Sequence, residues 1–287
     1  MNSLSWDNIQ KQSDEILSDG LFELLTNPIY DIAIPADNGN GNYLITLEKK
    51  PFYIGEAKEL RKRINQQFKT STSTFYKNYL KLQKTNQIIR PESIDGFKTQ
   101  IISTSFGRKE VEEFGIVNLS TSLNRFQLNK RKKFTIVSQK GLWNKVQQAS
   151  SDLLKEGETK VLSNRFTPWF DTEILSNAGL YLVKDKMDKL IYVGESSDVG
   201  DRISTHSRRT YFSALRRHIG TEILKFQLKE INGKKKYFSE IEDRNVTDFL
   251  KTCKSSVFAV NFGRYELEEY LIRKHKPLLN RKDNKNE

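Results

Sequence analysis

The same few side-chain types recur at fixed intervals in two stretches of this sequence, and together they suit phosphate-ester chemistry. In the second half, Tyr181 and Tyr192 lie in two strand-like runs, Arg202 follows Tyr192 by ten residues, and Asn280 follows Glu268 by twelve. In the first half, Tyr43 and Tyr53, Arg63 ten residues on, and Glu112 with Asn124 twelve residues on repeat the pattern. Hydrolysing a phosphodiester requires activating a water, neutralising charge on the phosphoryl oxygens and helping the 3′ oxygen leave. A hard divalent cation does much of this and prefers oxygen ligands, often one or two carboxylates with waters and phosphate. Glu112 and Glu268 are the candidate ligands. Arginine supplies a permanent planar cation suited to phosphate, a role open to Arg63 and Arg202. A tyrosine can place or deprotonate the water if its pKa, roughly 10 when unperturbed, is lowered by nearby cations.

Each of these residues also has an ordinary reading. Tyrosines on neighbouring strands commonly serve as half-buried packing, and Arg63 sits in ELRKRI, where any helix exposes basic residues. Glu112 and Glu268 lie among other acids (Glu110, Glu113; Glu266, Glu269), and only the twelve-residue interval to asparagine singles them out. Asn124 and Asn280 read as structural, satisfying backbone groups near the site. His206 is either an exposed helix residue or a group for proton transfer or phosphate contact. Cys253 reads as packing or inert surface.

The elements that must position these residues also come in pairs. SWDNIQKQSDEILSDG (5–20) matches LWNKVQQASSDLLKEG (142–157) at an offset of 137, FYIGEAKELRKRI (52–64) matches IYVGESSDVGDRI (191–203) at 139, and SFGRKEVEEF (105–114) matches NFGRYELEEY (261–270) at 156. Repeated blocks in the same order point to a duplication. The boundaries read as a first domain over 1–125, a basic linker over 126–137 and a second domain over 138–287. Each copy should open on an amphipathic helix, with Gly20 or Gly157 as its C-terminal stop. Two strands (43–47 and 51–55; 180–183 and 191–194), a helix (58–69; 198–209), a β-rich run and a final acidic helix follow. Copy 2 carries extra length with Asn232–Gly233, a two-residue hairpin signal. The fold class is therefore α/β or α+β.

Composition narrows the classes. The chain has 287 residues and a formal charge of +12, with a pI near 9.5 and a mean hydropathy of −0.65. No run of about 18 apolar residues offers a membrane span, and the acidic, amide-rich start is unlike a signal peptide. One cysteine excludes a disulfide framework and paired-cysteine zinc sites. The expectation is a soluble cytoplasmic protein. Residues 1–125 carry 16 basic against 15 acidic side chains, and 126–287 carry 32 against 21, so the second half should face a polyanion.

The whole pattern resembles the GIY-YIG nuclease superfamily, present twice. In copy 2 the motifs are Gly179-Leu180-Tyr181 and Tyr192-Val193-Gly194, then Arg202, His206, Glu268 and Asn280 within ELEEYLIRKHKPLLN. Copy 1 has Tyr43, Tyr53, Gly55, Arg63, Glu112 and Asn124, but Gln67 stands at the histidine position and Thr121 at that of Pro277. The resemblance implies two tandem domains, each a small, mainly antiparallel three-stranded sheet flanked by helices. It also implies a one-metal site, with Mg2+ or Mn2+ on the glutamate, and double-stranded DNA as partner.

Basic residues extend the DNA reading. Lys130, Arg131, Lys132 and Lys133 lie in the linker, Arg208, Arg209, Arg216 and Arg217 follow Arg202 with Tyr211 and Phe212 among them, and Lys234, Lys235 and Lys236 sit at the hairpin tip. The linker run is also what a merely solvated segment looks like, and the hairpin lysines could protect an edge strand. Cutting both strands of antiparallel DNA calls for two sites related by a near two-fold axis. A fused pair would do this as a monomer with internal pseudo-two-fold symmetry, in the style of a restriction enzyme. The alternatives are a nicking or structure-specific repair nuclease using copy 2 alone, and a non-catalytic DNA-binding protein.

Overall fold

A computed structural model describes residues 4–31, 39–69, 73–85, 96–124, 131–172, 176–231 and 233–280. Contacts divide the chain into two compact units, Met1–Leu153 and Leu154–Glu287.

Unit 1 opens on α1 (Trp6–Lys11), capped by Ser5, and α2 (Ser13–Thr26). The expected stop at Gly20 does not occur. α2 runs through it because the glycine accommodates the Trp143 ring, which a Cβ would strike. Its four-stranded antiparallel sheet has the order β1 (Tyr30–Asp31), β4 (Phe97–Ser103), β2 (Gly41–Leu47), β3 (Lys50–Ala57). The edge strand β1 is an addition to the three expected, and at two residues it is too short to leave an alternating pattern in the sequence. Helices α3 (Leu60–Gln67), α4 (Thr74–Lys84) and α5 (Arg108–Leu119) complete the unit around a core that includes Tyr43, Phe75 and Phe97.

The segment after residue 131 also belongs to unit 1. Buried Asp19 accepts hydrogen bonds from the backbone N–H groups of Gln139 at 2.5 Å and Trp143 at 2.8 Å. Ser18 Oγ bonds the Thr135 and Val137 carbonyls. Helix α6 (Leu142–Gln148) is thereby held on α2, and its Gln147 bonds the Phe106 N–H and carbonyl.

Helix α7 (Ser150–Ser163) leads into unit 2 and runs through Gly157, where a stop was expected. Its sheet has the order β5 (Thr167–Pro168), β10 (Lys254–Ala259), β6 (Gly179–Lys184), β7 (Leu190–Ser196). The same strand order and antiparallel pairing thus occur in both units, with a register shift at Ile45/Thr46 in one and Val183/Lys184 in the other. Helix α8 (Val199–Arg208) is capped by Asp198, and α9 (Ala214–His218) by Ser213. A hairpin, β8 (Lys229–Ile231) and β9 (Lys234–Tyr237), turns at Gly233 with φ +72°; Asn232 lies outside the described residues. Helix α10 (Glu240–Lys251) starts on a Ser239/Glu242 capping box, and α11 (Arg264–His275) closes the unit. Among the described residues no helix is long and apolar enough to cross a membrane.

Candidate active site

Strand pairing explains the two motifs. Tyr181 faces Gly194 across β6 and β7, and Tyr43 faces Gly55 across β2 and β3. Each tyrosine ring lies over its glycine so closely that a Cβ there would overlap the phenol. A bare backbone is needed for the ring to lie flat on the neighbouring strand. Tyr181 and Tyr192 then stand with ring centroids 5.9 Å apart at 31°, and Tyr43 and Tyr53 at 6.1 Å and 31°.

The arginine of the following helix reaches this pair. The Arg202 guanidinium lies close enough to exert its field on the Tyr181 and Tyr192 hydroxyls. Glu268, on α11, acts on both tyrosines. Its Oε1 accepts from the Glu195 N–H at 3.0 Å, which fixes the carboxylate beside β7. Glu195 is in turn tied to buried Arg264, Nε to Oε2 2.9 Å. Arg217 also faces Arg202 and Tyr192 while donating to the Thr210 and Tyr211 carbonyls. The candidate residues of unit 2 therefore converge. In unit 1, Arg63 and Glu112 likewise act on Tyr43 and Tyr53.

Asn280 clamps the strand that carries Tyr192. Its Oδ1 accepts from Val193 N at 2.9 Å and its Nδ2 donates to Val193 O at 2.7 Å. Asn124 holds Ile54 in the same way, at 2.9 and 2.8 Å. Both spend their amides on backbone, so they position the site and touch no reacting atom.

The tyrosines do not have the lowered pKa that proton removal from water would need. Burial raises Tyr181 well above its ordinary value and raises Tyr192 too, outweighing the pull of Arg202. Both phenols stay protonated at neutral pH and can orient a water by hydrogen bonding. His206 is fully buried, with Nε2 at 2.8 Å from the Tyr181 hydroxyl and Nδ1 at 2.6 Å from Ser213 Oγ. Burial, then Arg202, Arg216 and Arg217, push its pKa well below the usual imidazole value. Gln67 fills the same place in unit 1, bonding Tyr43 Oη at 2.5 Å and accepting from Ser73 Oγ at 3.0 Å. A neutral hydrogen-bonding link between tyrosine and serine is what both units share. His206→Gln should therefore keep cleavage within about tenfold. The unfolded chain takes up a proton near pH 6.5 and the folded one resists it. Stability is thus complete above that pH and declines below it, by up to about 1.4 kcal/mol per pH unit from this group. Urea midpoints at pH 7.5 and 5.5 should show His206→Gln with the smaller acid loss.

The basic residues divide sharply. Arg208 and Arg209 are exposed, as are Lys132, Lys133 and Lys236, the last with Nζ 5.4 Å from the Tyr211 ring centroid. Arg216 is fully buried and bonds Thr210 Oγ1, the carbonyls of His206 and Asp243, and Thr247 Oγ1, with Asp243 Oδ1 at 3.1 Å. The expectation that Arg216 meets DNA fails for that reason; it braces the loop behind His206. Arg131 is mostly buried between Asp14, at 3.4 Å, and Glu113, at 3.9 Å, so its charge is engaged within unit 1. Lys130 and the side chains of Lys234 and Lys235 lie outside the described residues. Buried Cys253, its thiol pushed up to about 12 by burial, is no nucleophile.

Sequence reasoning passed over Glu195, Arg264, Ser213 and Lys109. The first two stand in the matched blocks YVGE and FGR, so their repetition was a usable signal. Nothing in spacing marks Ser213 or Lys109. Among the described residues no set of three or more His, Cys, Asp or Glu forms a closed metal cage. Half-buried Glu268 instead fits a cation held by one carboxylate and completed by water and phosphate, the usual habit of magnesium.

A search of curated proteins gave no match. Residues 168–287, however, match the family model described as the GIY-YIG catalytic domain. Residues 168–287 of unit 2 are thus similar to the catalytic domain of the GIY-YIG nucleases.

Proposed function

We propose that the protein is a DNA endonuclease whose hydrolytic site is the Tyr181/Tyr192/Arg202/Glu268 group of unit 2, assisted by a divalent cation such as Mg2+ or Mn2+. The convergence of these four side chains within the matched segment carries this reading. Arg202 would bind the scissile phosphate and offset its developing charge. The protonated phenols of Tyr181 and Tyr192 would orient the attacking water, with Tyr181 held by His206, which Ser213 holds in turn. Glu268, fixed by the Glu195 N–H, would hold the cation. The ion, when bound, supplies Lewis acidity at a phosphoryl oxygen and lowers the pKa of its water. Exposed Arg208 and Arg209 would give affinity and register on the duplex without base preference.

A second reading has unit 1 cutting the other strand, so that a single tandem chain makes double-strand breaks in the manner of a restriction enzyme. The matching geometry of Tyr43 and Tyr53 favours it. Against it stands the Glu112 carboxylate, already paired with a lysine, which makes nicking or repair the better fit. Supercoiled plasmid with Mn2+ discriminates. The one-site reading predicts nicked circles as the first product and no change in Glu112→Gln. Linear product from wild type, reduced to nicked circles by Glu112→Gln, would favour two sites.

A further inference from the structure

Unit 1 repeats the tyrosine pair, the arginine and the glutamate, yet one neighbour differs in charge. Aligning the FGR turns at their offset of 156 places Lys109 of α5 opposite Tyr265 of α11. Lys109 Nζ lies 2.9 Å from Glu112 Oε2, three residues along the same helix, and their side chains are only 28% and 14% exposed. Glu56 and Glu113 also act on this ammonium. An ammonium at hydrogen-bonding distance occupies a lone pair that a metal would use. A divalent ion at Glu112 would have to displace Lys109 or sit beside it, where two positive charges in a poorly solvated setting repel strongly. Unit 1 therefore does not fit a metal as unit 2 does. Tyr265, at the matching position of α11, itself carries no charge.

We propose that Lys109 is the resident cation of the unit 1 site and that the chain holds one divalent ion, at Glu268. This rests on the metal reading of unit 2 and goes beyond it by assigning unit 1 a different chemistry. A lysine is a compact point charge able to bind phosphate. With Arg63 it gives unit 1 a metal-free phosphate subsite, suited to holding the backbone of the same nucleic acid.

Mn2+ titration of the full chain by calorimetry, with electron paramagnetic resonance counting free ion, tests this without reference to cleavage. Wild type should take up one ion, Glu268→Gln none, and Glu112→Gln one. Lys109→Tyr, which copies unit 2, should add a second ion with affinity raised about 10- to 100-fold over unit 1 of wild type. Lys109→Met provides the same removal of charge if the tyrosine variant fails a thermal-melt check. Two ions of similar affinity in wild type would overturn the proposal, as would loss of the ion in Glu112→Gln. So would a folded Lys109 variant that still takes up only one. No ion in any protein would instead overturn the metal reading of unit 2 itself.

Discussion

Glu268→Gln should lower metal-dependent cleavage by about 10³-fold or more while leaving DNA binding nearly intact. The substitution keeps the side chain's shape and an oxygen for the Glu195 N–H but removes the charge that would hold a hard cation. A cation at the phosphate contributes several kcal/mol of transition-state stabilisation, and each ~1.4 kcal/mol is tenfold in rate. Affinity for duplex DNA should persist because phosphate contacts dominate it, and exposed Arg208 and Arg209 lie on other elements. Single-turnover cleavage and filter binding of the same variant measure the two effects. Equal losses in both would point to a damaged fold rather than a missing metal ligand.

The largest stability effect should come from Arg216→Met. The guanidinium is fully buried, pairs with Asp243 and bonds the His206 carbonyl. Removing it strips their donor from the His206 and Asp243 carbonyls and the Thr210 and Thr247 hydroxyls, while Asp243, 30% exposed, keeps contact with water, which together should cost about 3 kcal/mol. Urea unfolding should show that loss in the transition assigned to unit 2. Arg208→Met, at an exposed position, should stay within about 0.5 kcal/mol of wild type. An Arg216 variant as stable as wild type would mean that Asp243 and Thr247 find other partners.

Much of this site was legible in the sequence because its constraints are local. A tyrosine on one strand and a glycine facing it on the next give a short, spaced signature. The asparagine amide that clamps Val193 or Ile54 must sit at a fixed distance beyond the last helix, which yields the twelve-residue interval. What the sequence concealed depends on pairing across long separations. Arg216 looks like its neighbours Arg208 and Arg209 until Asp243, far along the chain, is brought against it. His206 reads as a titrating group because its burial is invisible in GDRISTHS, and Gln67 at the matched position was the hint that charge is not its role. Gly20 imitated a helix stop because a close approach to Trp143 and a left-handed turn both call for glycine. The tyrosine pKa values moved upward, not downward, because their place in the sheet's core costs an anion more than Arg202 returns.

The central claim is that Arg202 and Glu268 serve the same scissile phosphate, and a double-mutant cycle tests it most directly. Single-turnover cleavage with Mn2+ would be compared in wild type, Arg202→Ala, Glu268→Gln and the double variant. Groups acting as one unit are strongly non-additive, so the double variant should be slower than the worse single variant by no more than about tenfold. Losses that multiply through to the double variant, or cleavage that survives Glu268→Gln at the wild-type rate, would contradict it.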